Sequence, residues 1–529
     1  MGALRPASYQ LVPLTKLLLN GHDSVLICDG VGVGKTISAG YILTYLHAAY
    51  GCPALVICPP ILVDKWHAEL KSKFSFRTHP IRSTEEAFFA VDTWNEKRDE
   101  AYAYILPSSL ATRVQEHPFL GPVVIDEIHN ARNKETQTWA AFKAITASSS
   151  HRVGLSATPI NNSLDDLAAE VSILLGIDWF SAEALIGDVW RPERRKTIYS
   201  MMTRFSKERL GIHFARRIVT NIRIPITQEY CDRVIDIVKG LRGRPSGESI
   251  FRDEVTYFRL AASSARAFAK STGESLEEAH EKKDALSLVL DKHRDERVIL
   301  FCEFEETAKE LAWAYEGRPA FLMTGSVPLF KREEILESFR GSDKSVLIMT
   351  SVGAEGLDLQ FCATLINYDL TWNPMVLEQR IGRIDRIGQT KDTVSVYNLI
   401  VDGSIDERIV IVLGRKLGLV EGSVLEPASV LGDTTVGHPE LFLQEDLAEE
   451  LKRANALAAA LELSSASIDE DYELESAIDA RFCDLDSLRS AASFRGKLPW
   501  IKGAPSSDPE KDLSMRGREL AEVIRRYQA

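Results

Sequence analysis

Eight residues, Asp29 to Thr36 (DGVGVGKT), leave this chain little choice of local structure. An apolar run, Val25 to Ile27, precedes them, and a helical pattern from Ile37 to Tyr50 follows. That strand, glycine-rich loop and helix is the setting a phosphate-binding loop requires. Gly32 and Gly34 let the backbone turn tightly, so that successive N–H groups face phosphate oxygens, and the helix N-terminus adds partial positive charge at the same place. Lys35 would reach the β- and γ-phosphates of a nucleotide, and Thr36 would offer its hydroxyl to Mg²⁺. The usual pattern has glycine six residues before the lysine, where this chain has Asp29.

At 529 residues the chain has room for two to four domains, each with its own core. No apolar run approaches the roughly 20 residues of a membrane span, and the first ten residues lack the apolar core of a secretory signal. The seven cysteines are scattered without a CxxC pair, which suggests neither structural zinc nor a disulfide framework. A reducing cytoplasm is the simplest location, with no membrane partner. A net charge of −13 argues against nucleic acid until its distribution is examined. Residues 421–529 hold 22 acidic and 12 basic residues, a balance of −10 that leaves −3 for the rest. Residues 191–223 carry ten Lys/Arg against two Glu. This run, with Arg194, Arg195, Lys196, Arg216 and Arg217, is either a solvated face or a strip that contacts phosphates.

Over the first 180 residues, short β-rich runs at 54–58, 101–106, 123–125 and 152–155 alternate with helical stretches, so a parallel sheet with helices on both faces is expected. Ligands in such sheets sit at the carboxyl ends of strands. Val123–Ile125 ends there in Asp126-Glu127-Ile128-His129. Unpaired buried carboxylates are costly, but beside a phosphate loop each has a task. Asp126 would hold Mg²⁺, and Glu127 would orient and polarise the attacking water.

Together these stretches resemble a superfamily 2 ATPase of the Swi/Snf type. Gln10 matches the glutamine motif that reads adenine. Leu55–Leu70 resembles motif Ia, Asp126–His129 a DEAH-type Walker B, and Ser156–Leu167 motif III. Thr350–Pro374 resembles motif V and Glu378–Gln389 (EQRIGRIDRIGQ) motif VI, with the resemblance running from about Arg5 to Arg408. It implies an α/β protein of two RecA-like parallel-sheet lobes with helical insertions and a helical C-terminal tail. The expected divisions are lobe 1 at 1–220, a helical crossover at 221–285, lobe 2 at 286–420 and an acidic tail at 421–529. It further implies nucleotide contacts at Gln10, Gly32, Gly34, Lys35, Thr36, Gly356, Asp358 and Gln379, with Mg²⁺ at Thr36 and Asp126. Lys35, Asp126 and Glu127 would be catalytic. Arg383 and Arg386, three apart and expected on one helix face, would be arginine fingers. The site would be split between lobes, tying hydrolysis to their relative movement.

By the same resemblance, strand contacts to double-stranded DNA fall at Pro59, Ser108, Thr158, Thr324 and Ser351, with Arg216 and Arg217 added from the basic run. Gly30 stands where the family usually has Glu, and Asp385 where eukaryotic remodellers generally have His. The motif VI sequence is similar to bacterial members: the RNA-polymerase-recycling ATPase and Snf-type helicases of phage-defence islands. An ATP-driven translocase that remodels protein–DNA complexes, within an anti-phage or restriction system, is the favoured expectation. An RNA-polymerase-associated motor is second; the extra N-terminal domain expected of the recycling ATPase is not seen in this sequence. An ATP-gated adaptor is third. Leu443, Leu447, Leu451, Leu457 and Leu461 give the tail helical spacing. It is expected to cap lobe 2 or, alternatively, to dock a protein partner or compete with DNA for the basic strip.

Overall fold

The computed structural model describes residues 7–418, with breaks at 20–22, 31, 97–99, 157–163, 188–197, 199, 206–209, 211–214, 242–249, 278–280, 315–317, 352–356 and 387; beyond 418 it describes Asp471 and Glu475. The chain divides into two compact units, 1–210 with 463–529, and 211–462.

The first unit holds a seven-stranded sheet. Its strands are β1 (Ser24–Ile27), β2 (Ala54–Cys58), β3 (Arg77–Pro80), β4 (Tyr102–Pro107), β5 (Val123–Asp126), β6 (Arg152–Leu155) and β7 (Met202–Thr203), in the order β3-β4-β2-β5-β6-β1-β7. Every pairing is parallel. Val25–Ile27, Leu55–Cys58 and Val123–Ile125 are buried, as unbroken apolar runs must be when helices cover both faces of a sheet. β1 lies beside β6, with β5 on the far side of β6, so the loop after β1 and the acids after β5 emerge at the same edge.

The second unit holds six parallel strands: β8 (Arg216–Ile224), β9 (Val298–Cys302), β10 (Ala320–Met323), β11 (Val346–Thr350), β12 (Thr364–Asn367) and β13 (Thr393–Val401). Their order is β10-β11-β9-β12-β13-β8. The two parallel-sheet lobes are those expected. The expected boundary at 220 is corrected, because it falls inside β8, which pairs with β13 over nine residues. Between β8 and β9 the helices Gln228–Leu241, Ile250–Ser263 and Ala265–Thr272 pack around Tyr230, Val234, Leu260 and Phe268. This helical insertion is tied to the sheet by a buried ion cluster. Lys282 Nζ lies 3.2 Å from both Asp369 and Asp406, and Asp369 accepts a 2.9 Å bond from Ser263 of the insertion.

Asp471 and Glu475 make their contacts in the first unit. Asp471 is fully buried and pairs with Lys16 at 2.5 Å, and Glu475 accepts a 2.7 Å bond from the Ser8 hydroxyl. For these two residues the expectation of a cap on lobe 2 is corrected. The leucine-spaced part of the tail, 443–461, lies outside the described residues.

Candidate nucleotide site

The phosphate loop leaves β1 and enters the helix Lys35–Tyr50, whose N-cap is Gly34. Gly32 and Gly34 have φ of +83° and +103°, the left-handed region where a side chain is strained. A Cβ on Gly34 would also lie 3.0 Å from the Gln10 side-chain nitrogen. The loop is therefore a cradle that glycine keeps open. Lys35 turns back onto its own loop, donating to the carbonyl oxygens of Asp29 at 3.0 Å and Gly30 at 3.4 Å. A nucleotide's phosphates would replace those carbonyls. Thr36 is half-buried in the first helical turn.

Asp29, which stands where glycine was expected, is buried and stitches the loop to a distant segment. Its carboxylate accepts from the Phe205 N–H at 3.0 Å and faces the Thr203 hydroxyl at 3.5 Å, while the Gly30 N–H donates to the Phe205 carbonyl at 2.9 Å. Burial pushes its pKa from 3.8 up to about 7, even though Lys35 pulls it down. Sequence reasoning missed this brace because β7 is only two residues long. Gln10 lies in the short helix Ser8–Leu11, and its side-chain Oε1 accepts from the Ala7 N–H at 3.2 Å. Its neighbour Tyr9 donates to the Val33 carbonyl at 2.5 Å, so the glutamine motif and the phosphate loop are joined directly.

At the end of β5, Asp126 accepts from the Glu127 N–H at 3.0 Å and from the Trp66 indole at 2.8 Å. Burial first, and then the adjacent Glu127, raise the Asp126 pKa to about 7. Such an oxygen-rich pair carries the negative charge that a divalent cation would relieve, so Asp126 and Thr36 fit Mg²⁺ by donor type. Glu127 sits at φ +51°, uncommon for a residue with a side chain and the kind of backbone strain that clusters at functional sites. Its carboxylate lies 3.3 Å from His129 Nδ1, which is 3.2 Å from the Ser156 hydroxyl. Motif II is thus joined to the first residue of motif III. Burial lowers the His129 pKa and favours its neutral form. Trp66 was also missed, although a buried indole N–H generally has an acceptor.

In the second unit the helix Pro374–Ile381 ends before Arg383 and Arg386, which lie in the turn that follows. The expectation that they share a helix face is corrected. The turn is held from within: the Gln389 amide donates to the carbonyls of Cys362 at 2.8 Å and Ile384 at 2.9 Å, and the Leu359 N–H donates to the Arg383 carbonyl at 3.2 Å. Arg386 pairs with Asp358, bringing motifs V and VI together. Gln379 is half-buried on the preceding helix, and Gly356 lies outside the described residues. Arg380, also missed, is buried and donates to the Asp369 carbonyl at 2.8 Å, Ser351 at 3.0 Å and Glu303 at 3.2 Å.

The nucleic-acid contacts fare differently. Arg217 is corrected: its guanidinium binds Glu378 at 2.6 and 2.7 Å and Asp385 at 2.6 Å, and is 12% exposed. The acid at 385 thus has a partner within its own lobe. Thr324 is corrected too, since its side chain is fully buried and meets the Ser326 hydroxyl at 2.9 Å. Pro59 is buried at the end of β2, Ser108 is half-buried, and Ser351 is engaged by Arg380. Thr158, Arg194, Arg195 and Lys196 lie outside the described residues. Of the described basic run, Arg204 is buried and Arg223 pairs with Asp402 at 2.6 Å, leaving Arg216 exposed on β8. No continuous basic strip forms among the described residues.

Comparison with known proteins agrees with this geometry. Residues 14–185 match the SNF2-related domain, and residues 281–388 match the helicase conserved C-terminal domain. An uncharacterized ATP-dependent helicase of Bacillus subtilis, YqhH, is 27% identical over 84% of this chain and 84% of its own length. The CHD3-type chromatin-remodeling factor CHR7 of Arabidopsis thaliana is 24% identical over 83% of this chain. The RNA polymerase-associated protein RapA of Haemophilus influenzae is 25% identical over 71%. The chain spans only 39% and 43% of those last two proteins.

Proposed function

Starting from the fact that this chain belongs to the Swi/Snf family of superfamily 2 helicase-like ATPases, we propose that it is an ATP-driven motor that translocates on double-stranded DNA and remodels protein–DNA complexes. The observation that carries the reading is the constellation at one edge of the first sheet. Lys35 is poised on loop carbonyls, Asp126 is held by Trp66, and Glu127 is linked through His129 to Ser156.

Gln10 reads the adenine of ATP, while Gly32, Gly34, Lys35 and Thr36 bind its phosphates. Thr36 and Asp126 would hold Mg²⁺, which would supply positive charge to offset that of the phosphates. Glu127 orients the attacking water and takes its proton. Arg383 and Arg386 stabilise charge on the γ-phosphate, a contribution typically worth about 10³ to 10⁵ in rate. Gln379, Gly356 and Asp358 complete the nucleotide contacts. For Arg386 this requires leaving or sharing the Asp358 carboxylate, which makes that pair a latch released in the active state. The His129–Ser156 contact gives the reaction a path to motif III and so to the track.

Among the described residues no helix is long and apolar enough to cross a membrane. We place the protein in the cytoplasm, as a subunit of an anti-phage or restriction system with a protein partner engaged through the tail. The similarity to RapA favours a second reading, a motor whose main partner is RNA polymerase. Steady-state ATPase rates separate these readings when measured without nucleic acid and with single-stranded DNA, duplex DNA, duplex RNA or RNA polymerase. The Glu127→Gln variant is the control. Strong stimulation by duplex DNA, lost in the variant, is expected. Stimulation by RNA polymerase alone would favour the second reading, and stimulation by nothing would overturn the motor.

A further inference from the structure

Lys16 and Ser8 flank Gln10 on the helical segment formed by Ser8–Leu11 and Val12–Leu19. Both are held by acids more than 450 residues away in sequence. Asp471 and Glu475 are each helical and stand four residues apart in the sequence. Glu475 accepts from Ser8 Oγ at 2.7 Å. Asp471 lies 2.5 Å from Lys16 Nζ and accepts from the Arg204 N–H at 2.7 Å. Lys16 also donates to the Met202 carbonyl at 2.7 Å.

These partners bear on both halves of the nucleotide site. Gln10 and Tyr9 lie between Ser8 and Lys16, and Tyr9 bonds to the phosphate loop at Val33. Arg204 immediately precedes Phe205, whose backbone binds Asp29 and Gly30. A carboxylate with no exposed surface is costly unless paired. Asp471 is paired here, and its two oxygens join the glutamine-motif helix to the segment that braces the phosphate loop.

We propose that Asp471 and Glu475 are positioning residues of the nucleotide site. They form a C-terminal clasp that sets affinity and selectivity for adenine nucleotides without touching them. The proposal rests on the reading of Gln10 as the adenine contact. It assigns the tail a role other than competition with DNA.

The test is equilibrium binding of a fluorescent ATP analogue to the full chain, with competition by ATP and by GTP. The variants are Asp471→Asn, Glu475→Gln, Ser8→Ala and, as control, Gln10→Ala, with thermal melting run in parallel. Asp471→Asn keeps the shape and an acceptor for Arg204 but removes the charge facing Lys16. ATP affinity is expected to fall about tenfold, the scale of one charge-assisted hydrogen bond, and the preference for ATP over GTP to narrow. Ser8→Ala and Glu475→Gln, which alter only the outer contact, should shift both in the same direction by about threefold. Unchanged ATP affinity and preference in all three clasp variants, whatever their melting temperatures, would overturn the clasp if Gln10→Ala still lost its preference. An unchanged preference in Gln10→Ala would instead overturn the adenine reading, and the selectivity claim with it.

Discussion

Replacing Arg217 by methionine tests whether the second lobe depends on a buried charge at its sheet edge. Methionine keeps much of the apolar stem and removes a guanidinium that makes three hydrogen bonds of 2.6–2.7 Å. Arg217, Glu378 and Asp385 have side chains 12%, 7% and 3% exposed, so water reaches them poorly. Burial opposes the charge on Arg217, but Glu378 and Asp385 outweigh it and hold the guanidinium more firmly protonated than usual. Without the arginine, two carboxylates face each other with little solvent. Breaking a buried pair from one side costs about 3–5 kcal/mol. In hydrogen exchange of the full chain, amides of β8 and β13 should exchange roughly 150- to 5,000-fold faster, up to the ceiling set by the lobe's own stability. The triple variant Arg217→Met, Glu378→Gln, Asp385→Asn should recover most of that protection, because it leaves no orphaned charge. An increase below about tenfold in β8 and β13, or a triple variant no better protected than the single, would refute the argument.

Asp29 and Trp66 give two further tests in the first lobe. Because burial raises the Asp29 pKa from 3.8 to about 7, the folded state binds this proton more tightly than the unfolded chain does. Its contribution to stability is full below pH 4 and is lost as pH rises through 7. Asp29→Asn should therefore melt above the nucleotide-free wild type at pH 8.5, with the gap corresponding to about 4 kcal/mol at most, and the gap should close toward pH 5. A pH-independent gap would contradict this. Trp66→Phe removes the indole donor from Asp126. A hydrogen bond to a charged group is worth about 1.5–3 kcal/mol, so single-turnover ATP hydrolysis should slow roughly 10- to 100-fold. ATP binding should change little, and a rate within twofold of wild type would show that Asp126 does not need the contact.

The parts of the site that could be read from sequence are local. DGVGVGKT and DEIH carry their geometry within eight and four residues, and apolar runs on either side set them at strand ends. What escaped is long-range. Asp29 meets Phe205 across 176 residues, and Arg217 meets Glu378 across 161. An arginine on a solvated face and one neutralised by buried acids are written with the same letter, so local charge counts assigned Arg217 to DNA. Asp385 raised the opposite difficulty: it departed from the family pattern, and its partner Arg217 lay 168 residues away on β8. Arg383 and Arg386 have helical spacing, but the helix ends at Ile381, and spacing alone does not report where a helix stops.

The pairing of β8 with β13 also sets a schedule for synthesis. Residue 216 leaves the ribosome 177 residues before its partner at 393, an interval of roughly 9–35 s at about 5–20 residues per second. Throughout that time β8 has no neighbour among the described strands of its own sheet, because its pairing there is with β13, the last of them to be made. An unpaired strand is a template for aggregation, and charged residues along it are the usual protection. Arg216, Arg217 and Arg223 space three cations along nine residues of β8. Two of them later pair with acids, Arg217 with Glu378 and Asp385, and Arg223 with Asp402 and Glu407. The charges that keep the nascent strand soluble thus become, once Glu407 has emerged, the ion pairs that fasten it.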